Sequence, residues 1–295
     1  MSASFAAARA AVTPAIEAEL AAIVPEAGLE APRLGAAMRY ALMAGGKRVR
    51  PLLTVLCGRP FAVPEPVTIK VGAAVECLHT YSLIHDDLPA MDDAAERRGR
   101  PSLHRAFDEA TAILAGDALQ AVAFERLAAE DLDLPADAKV ALVRGLGQAV
   151  GLGGMCGGQM LDLEAGSGTT FDGLRTLQAL KTGALITFAC DAGAIAGGAG
   201  ASERRAVCDY GRAVGAAFQI RDDLLDVVGD PALVGKDLGR DEIQAKATFV
   251  SALGVDGASR ELASAVEAAE TAVAPFGESA RPLQELARYI AARSS

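Results

Sequence analysis

Residues 86–93 read DDLPAMDD, and this acidic stretch ends a long apolar segment with helical periodicity. A second acidic cluster, DDLLD at residues 222–226, also follows an apolar helical segment. Unpaired carboxylates are costly in such surroundings. Mg²⁺ binds through a few carboxylate oxygens and leaves its other positions to water and phosphate. Two facing clusters therefore indicate a metal site for a phosphate-bearing substrate, and an exposed acidic surface is the alternative for either cluster.

The spacing within each cluster indicates which carboxylates act together. Asp222 and Asp226 are four residues apart and share one helix face, with Gln219 three residues before Asp222. Asp86 and Asp92 are six residues apart, which places them about 120° out of phase on a regular helix. The proline between them cannot continue a regular helix, because its ring clashes with the preceding turn. We therefore expect a distortion that returns Asp92 to the side of Asp86.

The composition predicts an all-α fold. The chain has 295 residues, 51% of them hydrophobic, and Ala and Leu, which are strong helix formers, are abundant. Apolar residues recur with helical spacing and no stretch resembles a linker, so we predict a single domain of about ten helices over residues 1–295. The predicted helices cover residues 2–24, 33–45, a segment opening at Pro51, 67–88, 105–130, 135–152, 172–198, 202–228, 242–253, 258–274 and 279–293.

Charge and cysteine content exclude several classes of protein. The net charge of -10 argues against nucleic-acid binding. The five cysteines are an odd number without a Cys-x-x-Cys pair, which is typical of reduced thiols in the cytosol. The N-terminal segment lacks the pattern of a secretory signal, and the uncharged residues 145–161 are too rich in Gly for a membrane span. We therefore expect a cytoplasmic protein with no membrane span.

Several basic residues lie in motifs that could bind a second anionic group. The segment GGKRVRP at residues 45–51 places three cations beside two flexible glycines, and Arg97 and Arg98 follow the first acidic cluster. His79 lies seven residues before Asp86, so it points to the same side of that helix. Such groups bind diphosphate oxygens directly, although a surface cation or a structural histidine is the alternative for each one. Further isolated lysines are Lys181, Lys236 and Lys246.

The order of these motifs resembles the trans-prenyltransferases, the family that makes short-chain isoprenoid diphosphates. The resemblance covers nearly the whole chain, and the Leu-Pro between the acidic pairs is similar to that of the bacterial farnesyl diphosphate synthases. It implies an isoprenoid-synthase helical bundle with a deep central cavity, a homodimer and a requirement for Mg²⁺. The motifs that carry it are GGKRVRP (45–51), ECLHTYSLIHDD (76–87), RRG (97–99), LAGD (114–117), GGQ (157–159), KTG (181–183), FQ (218–219) and DDLLD (222–226).

The resemblance also implies a role for each matching residue. About three Mg²⁺ ions are expected with the allylic diphosphate bound. Their ligands would be Asp86, Asp92 and Asp222, supported by Asp87, Asp223 and Asp226. Isopentenyl diphosphate would contact Lys47, Arg50, His79 and Arg98, and the allylic diphosphate would contact Arg97. The allylic side would be lined by Lys181, Thr182, Gln219, Lys236 and Lys246.

The implied reaction is a Mg²⁺-dependent head-to-tail condensation of isopentenyl diphosphate with dimethylallyl and geranyl diphosphate, giving farnesyl diphosphate. Metal and cations would stabilise the departing diphosphate. The Thr182 carbonyl and the Gln219 oxygen would stabilise the allylic carbocation without attacking it, and Lys181 is the third residue to which the resemblance gives a catalytic role. The departing diphosphate would then remove the proton, and apolar walls would exclude water.

Product length is a separate expectation that rests on Tyr81. This residue lies five positions before Asp86, roughly 7–8 Å down the helix axis. In the resembling family a bulky residue there forms the floor of the cavity and stops growth at farnesyl diphosphate. A geranylgeranyl or geranyl diphosphate synthase is the alternative, as is an ordinary core role for the tyrosine.

Other activities share part of the pattern. A terpene cyclase would use the same metal-triggered ionisation but would need no second diphosphate site. A phosphohydrolase is suggested by His85 followed by Asp86, but three histidines are few for its ligands. A regulatory subunit would be expected to lose an acidic cluster. Two departures from the family pattern are Arg221, which we expect to pair with Asp222 or Asp223, and the altered context of Lys246.

We predict that Tyr81→Ala shifts the product from farnesyl diphosphate to longer chains, because the smaller side chain opens the cavity floor. Chromatography of the dephosphorylated products measures the shift. An unchanged product spectrum in an active, folded variant would contradict the role of Tyr81 as the floor.

Overall fold

Helices form nearly all the regular structure of the computed structural model, which describes residues 4–25, 30–166, 168–228 and 248–293. The predicted all-α fold is confirmed. Two short strands were not predicted: β1 (Glu96–Arg97) pairs antiparallel with β2 (Arg100–Pro101). This small ladder lies directly after the first acidic cluster and holds the paired arginines. The expectation of one domain over the whole chain stays a prediction.

The first part of the described chain is a series of helices, with the two strands between the fourth and the fifth. The helices are α1 (Phe5–Ile23), α2 (Pro32–Leu42), α3 (Val49–Gly58), α4 (Glu65–Asp86), α5 (Leu103–Ala106) and α6 (Glu109–Ala128). A 3₁₀ turn, Arg59–Phe61, follows α3. The predicted helix over residues 105–130 is therefore wrong at its start, because Asp108 caps α6 by accepting a hydrogen bond from the Thr111 amide.

The second part contains the remaining described helices, including the two longest. They are α7 (Ala136–Val150), α8 (Met155–Glu164), α9 (Phe171–Gln178), α10 (Ala184–Ala196), α11 (Ala201–Val228), α12 (Phe249–Val273) and α13 (Arg281–Ala292). A π turn, Ala179–Gly183, separates α9 from α10 where one continuous helix was predicted. The Gly-rich residues 151–154 break the chain between α7 and α8. The start of the predicted helix over residues 242–253 lies outside the described residues.

Helices α4 and α10 form the centre of the core. Each is buried on most of its surface, which is why neither shows a one-sided apolar stripe. Helix α3 packs between them, α6 covers α4, and α11 covers α10. The end of α4 therefore opens into the middle of the bundle, where its acidic terminus meets residues from the second half of the chain.

A buried ion network fixes the start of α3 to three other helices. The guanidinium of Arg48 contacts Glu76 of α4 at 2.9 Å and Glu17 of α1 at 2.7 Å. It also donates to the carbonyl of Leu42 at the end of α2, at 2.8 Å. Arg48 has a left-handed φ of 47°, a conformation that costs a residue with a side chain about 1 kcal/mol or more. The surrounding ion pairs stabilise it there.

Two described stretches, Ala136–Glu164 and Phe171–Ala196, are long and apolar enough to span a membrane by length and composition. The first is not one continuous helix, because α7 ends at Val150 and α8 begins at Met155. The second is 56% buried within the bundle, as core helices that pass the same test are. The absence of a membrane span stays a prediction.

We predict that Arg48→Met destabilises the fold by about 3–5 kcal/mol, because it leaves Glu76 charged and unpaired in the core. Urea denaturation measures the free energy of unfolding. The matched control is Arg59→Met, whose pair with Glu65 is partly exposed and should contribute about 1 kcal/mol or less. Equal effects of the two substitutions would contradict the prediction.

Candidate functional site

The first acidic cluster is shaped by the end of α4. The helix stops at Asp86, and the chain folds back so that the Asp92 amide donates to the Asp86 carbonyl at 2.9 Å. Asp92 therefore returns to Asp86, as its spacing and the intervening proline led us to expect. Burial raises the pKa of the Asp86 carboxyl to about 6; Lys181 opposes this increase and Asp92 adds to it. Two carboxylates at one helix end attract a cation.

Asp87 has a different environment from Asp86. Its carboxylate is buried and accepts three hydrogen bonds from Arg97 on β1, with the shortest N–O distance 2.5 Å. Burial raises the pKa of Asp87, and this arginine partly offsets the effect. Asp87 therefore orients Arg97 towards the acidic cluster instead of presenting a free carboxylate.

The second acidic cluster is joined to the π turn and to α12 by hydrogen bonds. Gln219 accepts from the Thr182 hydroxyl at 3.3 Å and donates to Asp223 at 2.9 Å. The other oxygen of Asp223 accepts from the Phe249 amide at 2.7 Å. Asp223 thus stabilises the first turn of α12, and the chain of bonds holds Gln219 against Thr182.

Asp222 is held differently, by the end of the described chain. Arg293 donates to its carboxylate at 2.6 Å. Arg221 was expected to pair with Asp222 or Asp223, and this expectation is wrong: its guanidinium donates to the Arg293 carbonyl, with the Nε–O distance 2.8 Å. The spacing in the sequence cannot show this contact, because it joins residues that are 72 positions apart and lie near the C-terminal ends of two different helices.

Close helix approach positions the π turn. A Cβ on Gly158 would lie 2.2 Å from the Lys181 amide, so only glycine lets α8 pack against this turn. Lys181 forms an ion pair with Asp162, three residues after Gln159 on α8. Single π turns inside helical segments are frequent at functional sites. The turn carries both Lys181 and Thr182 into the bundle centre.

The basic segment and the paired arginines meet near His79, about two turns before the acidic end of α4. Arg98 donates to the Gly45 carbonyl, and a Cβ on Gly46 would lie 2.7 Å from its guanidinium carbon. Arg50 keeps a buried Nε without a hydrogen-bond partner, and burial lowers its pKa to about 10. Burial and then the nearby arginines, Arg50 first, lower the pKa of His79 well below its usual value. Positive charge is therefore concentrated around His79, while His79 itself is neutral.

One cavity of about 330 Å³ connects this basic region with the acidic end of α4. Its walls are largely apolar and come from α4, α8 and the π turn. Predicted site residues in its lining are Arg50, His79, Tyr81, Asp86, Lys181 and Thr182. Tyr81 lies inside it, with its ring edge-on to His85 at 5.0 Å between centroids and its hydroxyl 3.5 Å from the Cys156 sulfur. Arg97 and Arg98 line a smaller neighbouring pocket.

The carboxylates of the two acidic clusters are candidate ligands for Mg²⁺. Among the described residues, no three acidic, histidine or cysteine side chains form a closed metal cage. Mg²⁺ needs no such cage, because it usually binds one or two carboxylates and completes its shell with water and phosphate. Asp86 and Asp92 supply such a pair at one helix end, and Asp222 supplies a half-exposed carboxylate. These residues fit the ion.

Some residues were not found from the sequence, and others lie outside the description. Sequence reasoning missed Glu76, Asp162 and Arg293; the regular spacing of Gln159 and Asp162 on one helix face was the available signal for Asp162. Lys47 lies half-buried in the turn before α3. The predicted site residues Lys236 and Lys246 lie outside the described residues.

The chain is similar to known proteins in both sequence and structure. The model of the polyprenyl synthetase family matches residues 31–277. The farnesyl diphosphate synthase of Escherichia coli is 43% identical over 263 residues, which is 87% of this chain and 88% of that protein. The farnesyl diphosphate synthase of Geobacillus stearothermophilus is 40% identical and covers 90% of each chain.

A solved structure agrees with these sequence matches. The apo crystal structure of an FPP/GFPP synthase from Zymomonas mobilis superposes with a TM-score of 0.87 at 41% identity. The superposition covers 96% of this chain and 97% of that one. The family match spans well over half of the chain and includes both acidic clusters. The chain belongs to the polyprenyl synthetase family.

Proposed function

We propose that this protein is a Mg²⁺-dependent prenyltransferase that condenses isopentenyl diphosphate with dimethylallyl and geranyl diphosphate to give farnesyl diphosphate. One observation carries the proposal: a single apolar cavity has Asp86, at the acidic end of α4, on one side and the incompletely paired Arg50 beside the neutral His79 on the other. Two diphosphates that react with each other need two such unlike sites. The names of the sequence relatives support the same activity.

The allylic diphosphate would lie between the acidic clusters. Asp86, Asp92 and Asp222 would hold Mg²⁺, and the ion would neutralise the diphosphate as a leaving group. Arg97, oriented by Asp87, would add a direct contact to the same group. Both are charge-assisted interactions, which are stronger than neutral hydrogen bonds.

Loss of diphosphate leaves an allylic carbocation that the protein must stabilise without reacting. The Thr182 carbonyl and the Gln219 side-chain oxygen are dipoles, and the Thr182–Gln219 hydrogen bond keeps them together. Lys181 lines the cavity near Asp86, where it would stay with the departing diphosphate. The methionine and leucine side chains of α8 give the cavity an apolar wall, which would limit the access of water that could capture the cation.

Isopentenyl diphosphate would bind in the basic region around His79. Arg50 offers a buried donor without a partner, and Arg98 adds charge beside the Gly45 turn. The neutral His79 would donate one hydrogen bond and would not compete for the reaction's proton. The departing diphosphate would take that proton. Lys47, Lys236 and Lys246 complete the proposed substrate set on the strength of the family resemblance.

The proposed product is farnesyl diphosphate, with geranylgeranyl or geranyl diphosphate as the alternatives. Tyr81 lies inside the cavity and contacts α8 through Cys156, so its ring narrows the space below the acidic cluster. The Zymomonas mobilis protein is named for two products of different length. Product length therefore depends on individual cavity residues rather than on the fold.

We also propose a cytoplasmic homodimer. Large apolar side chains are exposed on neighbouring helices, including Ile113 and Leu114 on α6 and Val140 on α7. A dimer interface would cover such exposed apolar side chains. Light scattering of the purified protein should give about twice the chain mass of 30.2 kDa. A monomer mass at assay concentration would contradict the dimer.

The function is tested with purified protein, Mg²⁺, isopentenyl diphosphate and either dimethylallyl or geranyl diphosphate. Farnesyl diphosphate identified by chromatography and mass spectrometry supports the proposal. A cyclic hydrocarbon would indicate a terpene cyclase, and free phosphate alone would indicate a phosphohydrolase. Omission of Mg²⁺ should abolish product formation.

We predict that Arg50→Gln raises the KM for isopentenyl diphosphate by roughly 10- to 100-fold, because a charged hydrogen bond contributes about 1.5–3 kcal/mol. The KM for geranyl diphosphate should change little. The exposed Arg205 of α11 supplies the matched control, Arg205→Gln, which should leave both constants unchanged. Equal increases for both substrates would contradict the assignment of Arg50 to one side of the cavity.

A further inference from the structure

Arg293, the last described residue of the chain, forms an ion pair with Asp222, which is one of the proposed metal ligands. A terminal nitrogen of Arg293 lies 2.6 Å from one oxygen of Asp222 and 3.1 Å from the Phe218 carbonyl. Its guanidinium carbon lies 4.1 Å from the centre of the Phe218 ring. The side chain of Arg293 is only 5% exposed, whereas that of Asp222 is 38% exposed. The arginine is therefore built into the second acidic cluster from its buried side.

A second arginine holds the first in place. Arg221 donates through its Nε to the Arg293 carbonyl at 2.8 Å, and its other donor contacts the same oxygen. The Arg293 amide still donates to the Tyr289 carbonyl at 3.0 Å, so α13 leads directly into this contact. We call Arg221 and Arg293 the C-terminal clasp. It fixes the last turn of α13 to the acidic end of α11.

The clasp brings cations together at some cost. Burial, and then the charge of Arg293, lower the pKa of Arg221. The compensation comes from α11, whose last turns carry Asp222, Asp223 and Asp226 near a helix C-terminus. Negative charge there opposes the helix dipole, so a cation at Asp222 stabilises the helix end. Asp223 already accepts two hydrogen bonds from the protein. Asp222 is the half-exposed carboxylate, and a cation beside it balances its negative charge.

We propose that Arg293 is a stand-in cation, held on Asp222 by Arg221, which a divalent metal ion must displace. The inference rests on the proposed function, since it takes Asp222 as a metal ligand. The guanidinium of Arg293 lies on one oxygen of Asp222, and a metal ion on the same carboxylate would be close enough for the two cations to repel each other strongly. Displacement frees the last turn of α13, so metal binding and the position of the C-terminal segment are coupled.

The first test measures metal affinity in the full-length protein with Mn²⁺ as the probe, read by its electron paramagnetic resonance signal. Arg293→Met removes the competing charge and keeps an apolar side chain over Phe218. We expect it to tighten Mn²⁺ binding by about tenfold. Arg221→Met keeps Arg293 but loosens it, and should tighten binding by about threefold.

Matched variants control for charge and for folding. Arg288→Met removes a cation from the same helix, but its partner is Glu270 and it should leave Mn²⁺ affinity unchanged. Arg293→Lys keeps the positive charge and should stay closer to the wild type than Arg293→Met does. Thermal melting confirms that each variant is folded; if Arg293→Met does not fold, Arg221→Met carries the test.

The second test follows the last turn of α13 by hydrogen–deuterium exchange. Addition of Mg²⁺ should make peptides covering residues 281–293 exchange faster in the wild type. Unchanged or slower exchange would overturn displacement, and so would equal Mn²⁺ affinity in Arg293→Met, Arg288→Met and the wild type.

Asp222→Asn separates this inference from the proposed function. If that variant binds Mn²⁺ as tightly as the wild type, Asp222 is not a metal ligand, and both the inference and that part of the proposed function are wrong. If it binds weakly while Arg293→Met matches the wild type, the inference about the clasp alone is wrong.

Discussion

The buried pairing of Arg48 with Glu76 and Glu17 is the interaction on which the rest of the site depends. It joins α1, α2 and α4 to the start of α3 and holds Arg48 in a left-handed conformation. The backbone on either side of that residue carries the glycine turn and Arg50. The buried negative charge of Glu76 also favours the charged form of Arg50, which burial would otherwise weaken. A structural ion pair thus prepares a basic surface beside an apolar cavity.

The charged residues around that cavity are of two kinds. Some are bound to other groups of the protein, and others remain more accessible to an ion. Asp87 and Asp223 have buried carboxylates that accept hydrogen bonds from Arg97, Gln219 and the start of α12. Asp86 and Asp222 remain more accessible to an ion. The DDLPAMDD and DDLLD motifs look uniform in sequence, yet neighbouring carboxylates within each motif have different physical tasks. Asp87 and Asp223 hold neighbouring elements together, and Asp86 and Asp222 are the proposed metal ligands.

Helices that meet at the centre are positioned by contacts between distant parts of the chain. The π turn at residues 179–183 exists where Gly158 lets α8 approach it, and the clasp of Arg221 and Arg293 ties α13 to α11. Each device lies beside a proposed catalytic or metal-binding residue. The second acidic cluster is therefore sensitive to the position of the C-terminal helix, while the first depends mainly on the local fold of one loop.

Local sequence patterns determined the helical fold, the two acidic clusters, the basic segments and the return of Asp92 to Asp86, because helical periodicity and a proline act over a few residues. Tertiary structure alone decided the partner of Arg221, the task of Asp223, the π turn and the placement of Arg293. Those contacts join residues up to about 70 positions apart, as the 72-residue separation of Arg221 and Arg293 illustrates. Their hydrogen bonds depend on how whole helices pack, and residue spacing within one helix carries no information about that packing.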